Sequence, residues 1–152
     1  MIKDGEPYLI EYNVRMGDPE CQTTLPLLQN DFVDVLESCM NSTLDEIDLI
    51  WKKKKSICIV LTSKGYPDKY KKNILINNLE YHQNKDKEFI FHAGTKKLNN
   101  KFYSNGGRVL NFVSIDDNFV NARKKSLDQI KKLNWEDGYY RSDIGHKVIE
   151  NS

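Results

Sequence analysis

The sequence has no strong excess of either charge, because its 152 residues contain 23 lysines and arginines against 22 aspartates and glutamates. With 39% hydrophobic and 30% charged residues, this balance is typical of a globular protein and argues against a nucleic-acid-binding surface. No apolar run approaches the roughly 18 residues that suggest a membrane span. No basic stretch followed by an apolar run indicates a secretion signal. We therefore expect a cytoplasmic protein that binds neither nucleic acid nor membrane.

Cysteine is scarce, with only Cys21, Cys39 and Cys58 in the chain. Their odd number and wide spacing exclude a zinc knuckle and a disulfide framework. We expect all three to be buried, reduced thiols without a nucleophilic role. Internal repeats and low-complexity tracts are also missing, so the chain does not have the pattern of a solenoid or a linker.

What the sequence does contain is a series of short strand patterns in its second part. Residues 56–63 form a continuous apolar run, and further strands are predicted at residues 73–76, 88–92 and 108–115. An amphipathic helix follows, with Asp116 or Asp117 as its predicted N-cap. This order predicts an α+β fold, in which a small antiparallel sheet is covered by one helix.

A run of four lysines at residues 52–55 marks a shift in composition. No aromatic platform or second basic cluster accompanies it, so a solvated connector is favoured over an RNA or phospholipid site. We therefore predict a boundary at this point, between a first part at residues 1–51 and a second part at residues 52–152.

The most informative stretch lies in the first part, where residues 8–14 have the pattern of a strand. The period of two places Glu11, Asn13 and Arg15 on one face and apolar side chains on the other. Helices predicted within residues 26–40, with Asn30 or Asp31 as a cap, should cover the apolar face.

Two oxygen ligands at positions i and i+2 can bind one Mg²⁺ whose other ligands come from a nucleotide and water. Arg15 can hold a phosphate or carboxylate through two charge-assisted hydrogen bonds. On the pattern alone, a solvated edge strand followed by a turn explains Glu11, Asn13 and Arg15 equally well, because two ligands form an incomplete metal signature.

Residues 11–22 read Glu-Tyr-Asn-Val-Arg-Met-Gly-Asp-Pro-Glu-Cys-Gln. This string closely resembles the signature of the phosphoribosylamine–glycine ligase family, also called glycinamide ribonucleotide synthetases. Met16 stands where the family usually has Phe or Leu, a difference that concerns packing. The resemblance continues in the family's order and covers nearly the whole chain, through residues 63–67, 91–95, 104–109 and 140–145.

The resemblance implies that residues 1–51 are the end of an ATP-grasp domain and that residues 52–152 are the small domain that follows it. It implies a ligase of de novo purine biosynthesis that uses ATP to join glycine to 5-phosphoribosylamine through glycyl phosphate. Glu11 and Asn13 match the positions of the family's Mg²⁺ or Mn²⁺ ligands. Arg15 is assigned to phosphate or acyl-phosphate oxygens, and Asp18 and Glu20 to the loop and the substrate amine.

A second candidate site is the string Asn-Gly-Gly-Arg at residues 105–108. Backbone donors beside a cation can cradle a phosphate, but two glycines are equally typical of a hairpin turn. The resemblance favours Gly106, Gly107 and Arg108 as ribonucleotide-binding residues. His92, at a strand end, is predicted to be a hydrogen-bonded structural residue.

The Asp4-Gly5 pair has the pattern of a hairpin turn, although only three residues precede it. We expect the chain to begin inside a sheet and to be a carboxyl-terminal fragment, inactive without an amino-terminal portion. Two alternatives remain: a non-catalytic interaction module that lost the chemistry, and another ATP-grasp carboxylate-amine ligase.

Overall fold

The computed structural model describes residues 1–79, 82 and 84–150. The strands are β1 (Ile2–Lys3), β2 (Glu6–Pro7), β3 (Lys55–Ser63), β4 (Leu75–Ile76), β5 (Glu88–His92), β6 (Thr95–Leu98), β7 (Lys101–Ser104), β8 (Arg108–Asp116) and β9 (Gly138–Tyr139). The α-helices are α1 (Glu20–Thr24), α2 (Phe32–Asn41), α3 (Phe119–Leu133) and α4 (His146–Glu150), and short 3-10 helices span Leu25–Leu27 and Leu44–Glu46.

The central sheet contains four antiparallel strands in the order β5-β8-β3-β9. Every second residue of β3 is buried, as expected for a strand with one face on a core. Its side chains Ile57, Ile59 and Leu61 meet Leu110 and Phe112 of β8 in one apolar cluster. The predicted strands at residues 56–63, 88–92 and 108–115 are thus confirmed, and the fold is α+β.

Helix α3 covers the inner face of this sheet with Ala122, Ile130 and Leu133. Its N-cap is Asn118, whose side chain accepts a hydrogen bond from the backbone N–H of Asn121. The predicted caps, Asp116 and Asp117, were wrong. Asp116 is the last residue of β8, so its carboxylate lies too early in the chain to cap the helix, and it pairs with Lys125 instead.

A second sheet has the strand order β4-β7-β6. Its hairpin turns at Asn99 and Asn100, whose φ angles of 49° and 60° are the left-handed values that this type of two-residue turn requires. Ile76 of β4 and Phe102 of β7 pack against the apolar cluster of the central sheet. The two sheets therefore share one core.

The first part of the chain is less compact. Strands β1 and β2 form the hairpin predicted from Asp4-Gly5. Helix α2 begins at the predicted cap Asp31, which accepts a hydrogen bond from the backbone N–H of Val33. Val35 is its only buried side chain. Cys39 is exposed, and Cys21 and Cys58 are half-buried, so the prediction that all three thiols are buried was wrong.

The connector of lysines is anchored at its start, because the Lys52 backbone N–H donates to the Leu27 carbonyl (2.8 Å) and its Nζ to the Pro26 carbonyl (3.0 Å). Helix α1 contacts β3 and β8, so it lies on the sheet face opposite α3. Within the described part of the chain, no helix is both long and apolar enough to cross a membrane.

Candidate functional site

The segment at residues 8–16, which carries Glu11, Asn13 and Arg15, has no regular secondary structure and contains a bend at residues 14–15. Residues 8–16 belong to no strand in the described structure, and the predicted strand at residues 8–14 was wrong. Helix α2 does not cover it either: Val14 is 99% exposed and Tyr12 is 84% exposed. A strand requires hydrogen bonds from a neighbouring strand, and β1 and β2 pair only with each other.

Glu11 and Asn13 nevertheless lie side by side. The Asn13 Nδ2 donates to Glu11 Oε1 over 3.0 Å, and both residues are exposed. In this arrangement the Asn13 amide nitrogen faces the carboxylate, so a small hard cation could take oxygen ligands from both side chains only after the Asn13 amide turns its oxygen toward Glu11. Among the described residues, no group of three or more His, Cys, Asp or Glu side chains could hold a metal ion.

Arg15 points away from that pair, since its Nη1 donates to the backbone carbonyl of Met16 (2.9 Å). No ion pair joins it to Glu11 in the described part of the chain. Of the three side chains predicted to share one face, the structure thus brings together Glu11 and Asn13 but not Arg15.

Within the signature string, residues 17–19 lead into α1. Glu20 is the first residue of α1, and its side chain folds back over Gly17, where a Cβ atom would overlap the Glu20 carboxylate. Asp18 is held by Gln22, whose Nε2 donates to Asp18 Oδ1 (2.7 Å). The Asp18–Pro19 peptide bond is cis.

Asp18 also meets Arg108, which lies 90 positions further along the chain. Arg108 Nη1 donates to the Asp18 backbone carbonyl over 2.8 Å and lies 3.3 Å from Asp18 Oδ2. Two residues predicted separately as substrate-binding groups are therefore in direct contact. The packing of α1 against β3 and β8 brings them together.

The Gly106-Gly107 turn connects two sheets, because β7 belongs to the second sheet and β8 to the central one. It is therefore not a hairpin turn, which was one of the two interpretations of the sequence. The backbone carbonyl of Gly107 accepts from Ser63 N–H (2.7 Å), and that of Gly106 accepts from Ser63 Oγ (2.9 Å). A Cβ atom at Gly107 would overlap the ring of Tyr66.

Pro19 and Arg108 border a cleft of about 610 Å³ on the outer face of the central sheet. The sequence did not identify several of the residues that line the cleft, because its aromatic residues are scattered along the chain and form no recognisable motif. The lining residues are Pro19, Cys58, Val60, Thr62, Tyr66, Pro67, Arg108, Tyr139, Tyr140, Arg141 and Ile144. Arg141 forms an ion pair with Asp143, with 2.6 Å between Nη2 and Oδ2.

Two groups near this region are structural. Burial raises the pKa of the Cys58 thiol to about 12, and the nearby charge of Asp18 adds to the effect, so Cys58 is not a nucleophile at neutral pH. His92 Nδ1 lies 2.8 Å from Thr95 Oγ1, and burial lowers the pKa of its ring. His92 is thus hydrogen-bonded, as predicted.

Comparison with known proteins shows one consistent likeness. The family model described as "Phosphoribosylglycinamide synthetase, C domain" matches residues 56–147. A phosphoribosylamine–glycine ligase of Fusobacterium nucleatum is 47% identical over 146 residues, which are 95% of this chain and 34% of that protein. A bifunctional purine biosynthetic protein of Dictyostelium discoideum is 40% identical, over 94% of this chain and 18% of that protein.

The same likeness appears among solved structures. The crystal structure of a phosphoribosylamine–glycine ligase from Thermotoga maritima superposes with a TM-score of 0.75 and 31% identity. The superposition covers 95% of this chain and 35% of that protein. The chain therefore spans about a third of the length of the ligases that it matches.

Proposed function

Because this chain belongs to the phosphoribosylglycinamide synthetase C-domain family, we propose that it is the carboxyl-terminal part of a phosphoribosylamine–glycine ligase. The proposed reaction joins glycine to 5-phosphoribosylamine in purine biosynthesis while ATP becomes ADP and phosphate. The supporting observation is the 47% identity to a ligase over 95% of the chain. That match includes residues both in the first part and in the domain at residues 56–147.

In this proposal, residues 1–51 are the end of an ATP-grasp domain and residues 52–152 form the domain that follows. The partner is the amino-terminal portion of the same enzyme, because the chain covers only 34% of its ligase relative. The exposed apolar side chains of residues 8–16 support this partner, since a high exposure of large apolar side chains is typical of an interaction site. The proposed location of the enzyme is the cytoplasm.

Glu11 and Asn13 are the proposed metal ligands, with Mg²⁺ or Mn²⁺ as the ion. The proposal is supported by the contact between the two side chains and by their exposure, and it requires the Asn13 amide to turn its oxygen toward an ion that is shared with a triphosphate. When bound, the ion screens the charge of the phosphates and orients them for transfer.

The remaining site residues act on the substrates. Arg15 is proposed to stabilise phosphate or acyl-phosphate oxygens, for which its guanidinium must leave the Met16 carbonyl. Asp18 and Glu20 order the loop and face the substrate amine. Gly106, Gly107 and Arg108 form the edge of the site that faces the ribonucleotide, a placement supported by the Asp18–Arg108 contact.

Two experiments test the proposed function. The first combines this chain with a separately expressed amino-terminal portion of the Fusobacterium nucleatum ligase and measures ADP formation that depends on both glycine and 5-phosphoribosylamine. We expect activity only in the mixture. The chain alone should also show no micromolar binding of Mg-ATP in calorimetric titration. Absence of activity in a mixture that forms a stable complex would overturn the proposal.

The second experiment tests the metal ligands in that active mixture. Glu11→Gln should lower turnover about 100-fold and raise the Mg²⁺ requirement, because a neutral amide binds the ion more weakly than a carboxylate. Glu37→Gln, an exposed change on α2, is the matched control and should be neutral. Normal turnover of Glu11→Gln at ordinary magnesium would exclude the ligand role.

A further inference from the structure

We infer that Arg108 is a positioning residue, which acts on the site through Asp18 by fixing the loop of residues 17–22. The inference starts from the distribution of hydrogen bonds around Asp18. Arg108 Nη1 contacts both the backbone carbonyl and Oδ2 of Asp18, and Gln22 Nε2 contacts Oδ1. Both carboxylate oxygens and the carbonyl are therefore engaged, which determines the direction of the side chain and of the peptide unit.

Arg108 reaches Asp18 because of an irregularity in the central sheet. The register between β3 and β8 shifts at Leu61/Thr62, so that Arg108 is paired with Thr62 while Leu110 is paired with Leu61. Bulges of this kind re-aim a side chain from one sheet face to the other. Arg108 consequently lines the outer cleft together with Thr62, whereas Val109 and Leu110 enter the core.

The backbone on either side of Arg108 is fixed. Val109 is fully buried, and Gly107 is buried beside the ring of Tyr66 with its carbonyl bound by the Ser63 N–H. The loop that carries Asp18 is held less firmly, since Asp18 is exposed and the five residues of α1, although they contact β3 and β8, include none that is fully buried. The start of β8, whose backbone is fixed, thus holds the less firmly anchored loop of residues 17–22.

The contact contributes to order of the loop and little to the stability of the fold. The side chains of Arg108 and Asp18 are 42% and 47% exposed, and ion pairs at such positions add little to the free energy of unfolding. The contact joins the matched C-domain region, which contains Arg108, to the signature, which lies before it. The importance of the Asp18–Arg108 contact for catalysis rests on the proposed function, whereas its effect on the order of the loop does not.

The local effect is tested on the chain as it exists, by backbone hydrogen exchange followed by mass spectrometry. In Arg108→Gln, exchange of peptides within residues 17–24 should rise about fivefold, while β3 and α3 keep their rates. Asp18→Asn should have the same local effect, and the double variant should add little to either change. Arg108→Lys, which retains the charge, should recover part of the protection.

Arg141→Gln is the matched control, because it removes a second exposed arginine–aspartate pair beside the same cleft without touching Asp18. It should leave residues 17–24 unchanged. Wild-type exchange in Arg108→Gln and Asp18→Asn would overturn the inference. If Arg108→Gln raises exchange in the core strands as well, the Asp18→Asn variant decides, because it changes only the exposed loop.

The catalytic consequence is measured in the active mixture of the two portions. Arg108→Gln should lower kcat about tenfold with little change in the KM for glycine or ATP, and Arg108→Lys should restore part of kcat. Lys124→Gln on α3, which removes an exposed ion pair with Asp128, should be neutral. Unchanged kcat in Arg108→Gln would overturn the positioning role. Since hydrogen exchange requires no substrate, its result stands apart from any failure of the proposed ligase activity.

Discussion

At the scale of single residues, Asp116 shows how one carboxylate joins a strand to a helix. Its Oδ2 lies 2.7 Å from Lys125 Nζ of α3, and its Oδ1 accepts from the backbone N–H of Asp117 over 2.7 Å. Two hydrogen bonds lower the pKa of Asp116 to about 2: the larger effect comes from Lys125 and the smaller from the backbone N–H of Asp117. The carboxylate therefore remains ionised at all physiological pH values.

The Asp116–Lys125 pair predicts a defined pH dependence. Since the folded pKa is below the unfolded value of about 3.9, the pair stabilises the fold above pH 4, and this stabilisation is lost as the pH falls towards 2. In Lys125→Gln, the Asp116 pKa measured by NMR should rise towards its ordinary value. Lys124→Gln, which affects the pair with Asp128, should leave Asp116 unchanged. An unshifted Asp116 in Lys125→Gln would contradict this assignment.

At the scale of elements, the connection from β7 to β8 determines how the two sheets meet. Gly107 is buried there beside Tyr66, and the Gly94 backbone packs against Gly106. The Gly94 N–H donates to the Arg108 carbonyl (2.8 Å), and the Asn105 N–H donates to the Gly94 carbonyl (2.7 Å). Close backbone approach explains why glycine occupies these positions.

Replacing Gly107 by alanine should therefore destabilise the protein by about 1–3 kcal/mol, because the added methyl group would overlap the Tyr66 ring in a packed environment. The free energy of unfolding, measured by chemical denaturation, tests this value. In a Tyr66→Leu background the cost of Gly107→Ala should be smaller, because the ring is absent. Equal costs in the two backgrounds would exclude the ring as the cause.

At the scale of the whole molecule, apolar exposure is concentrated in the first part of the chain. Ile10, Tyr12 and Val14 in the segment at residues 8–16 are exposed, as are Val33 and Met40 of α2. A high exposure of large apolar side chains is typical of an interaction site. We propose that the amino-terminal portion covers the side chains of residues 8–16.

Val14→Lys tests this interface. Because Val14 is 99% exposed, the change should leave the melting temperature of the isolated chain nearly unchanged. It should weaken assembly with the amino-terminal portion at least tenfold, since a buried unpaired charge costs several kcal/mol. Leu98→Lys, at an exposed hairpin end, is the control and should assemble normally. Normal assembly of Val14→Lys, measured by sedimentation, would place the interface elsewhere.

Patterns within single segments were sufficient to predict much of the second part. Strands β3, β5 and β8 follow from apolar runs, and the β6–β7 turn follows from Asn99-Asn100. The segment at residues 8–14 has an equally good pattern, yet it is unpaired. Propensity is local, whereas a strand also needs a neighbour to which its backbone can donate.

The sequence by itself determined the family, the adjacency of Glu11 and Asn13, and the strands of the central sheet, because each depends on residues close together in the chain. Only the tertiary structure decided that Arg108 meets Asp18 and that Tyr66 and Tyr139 line the same cleft. Those contacts depend on a register shift and on the packing of α1 against the sheet. Both are set by the sum of many weak interactions across the whole core.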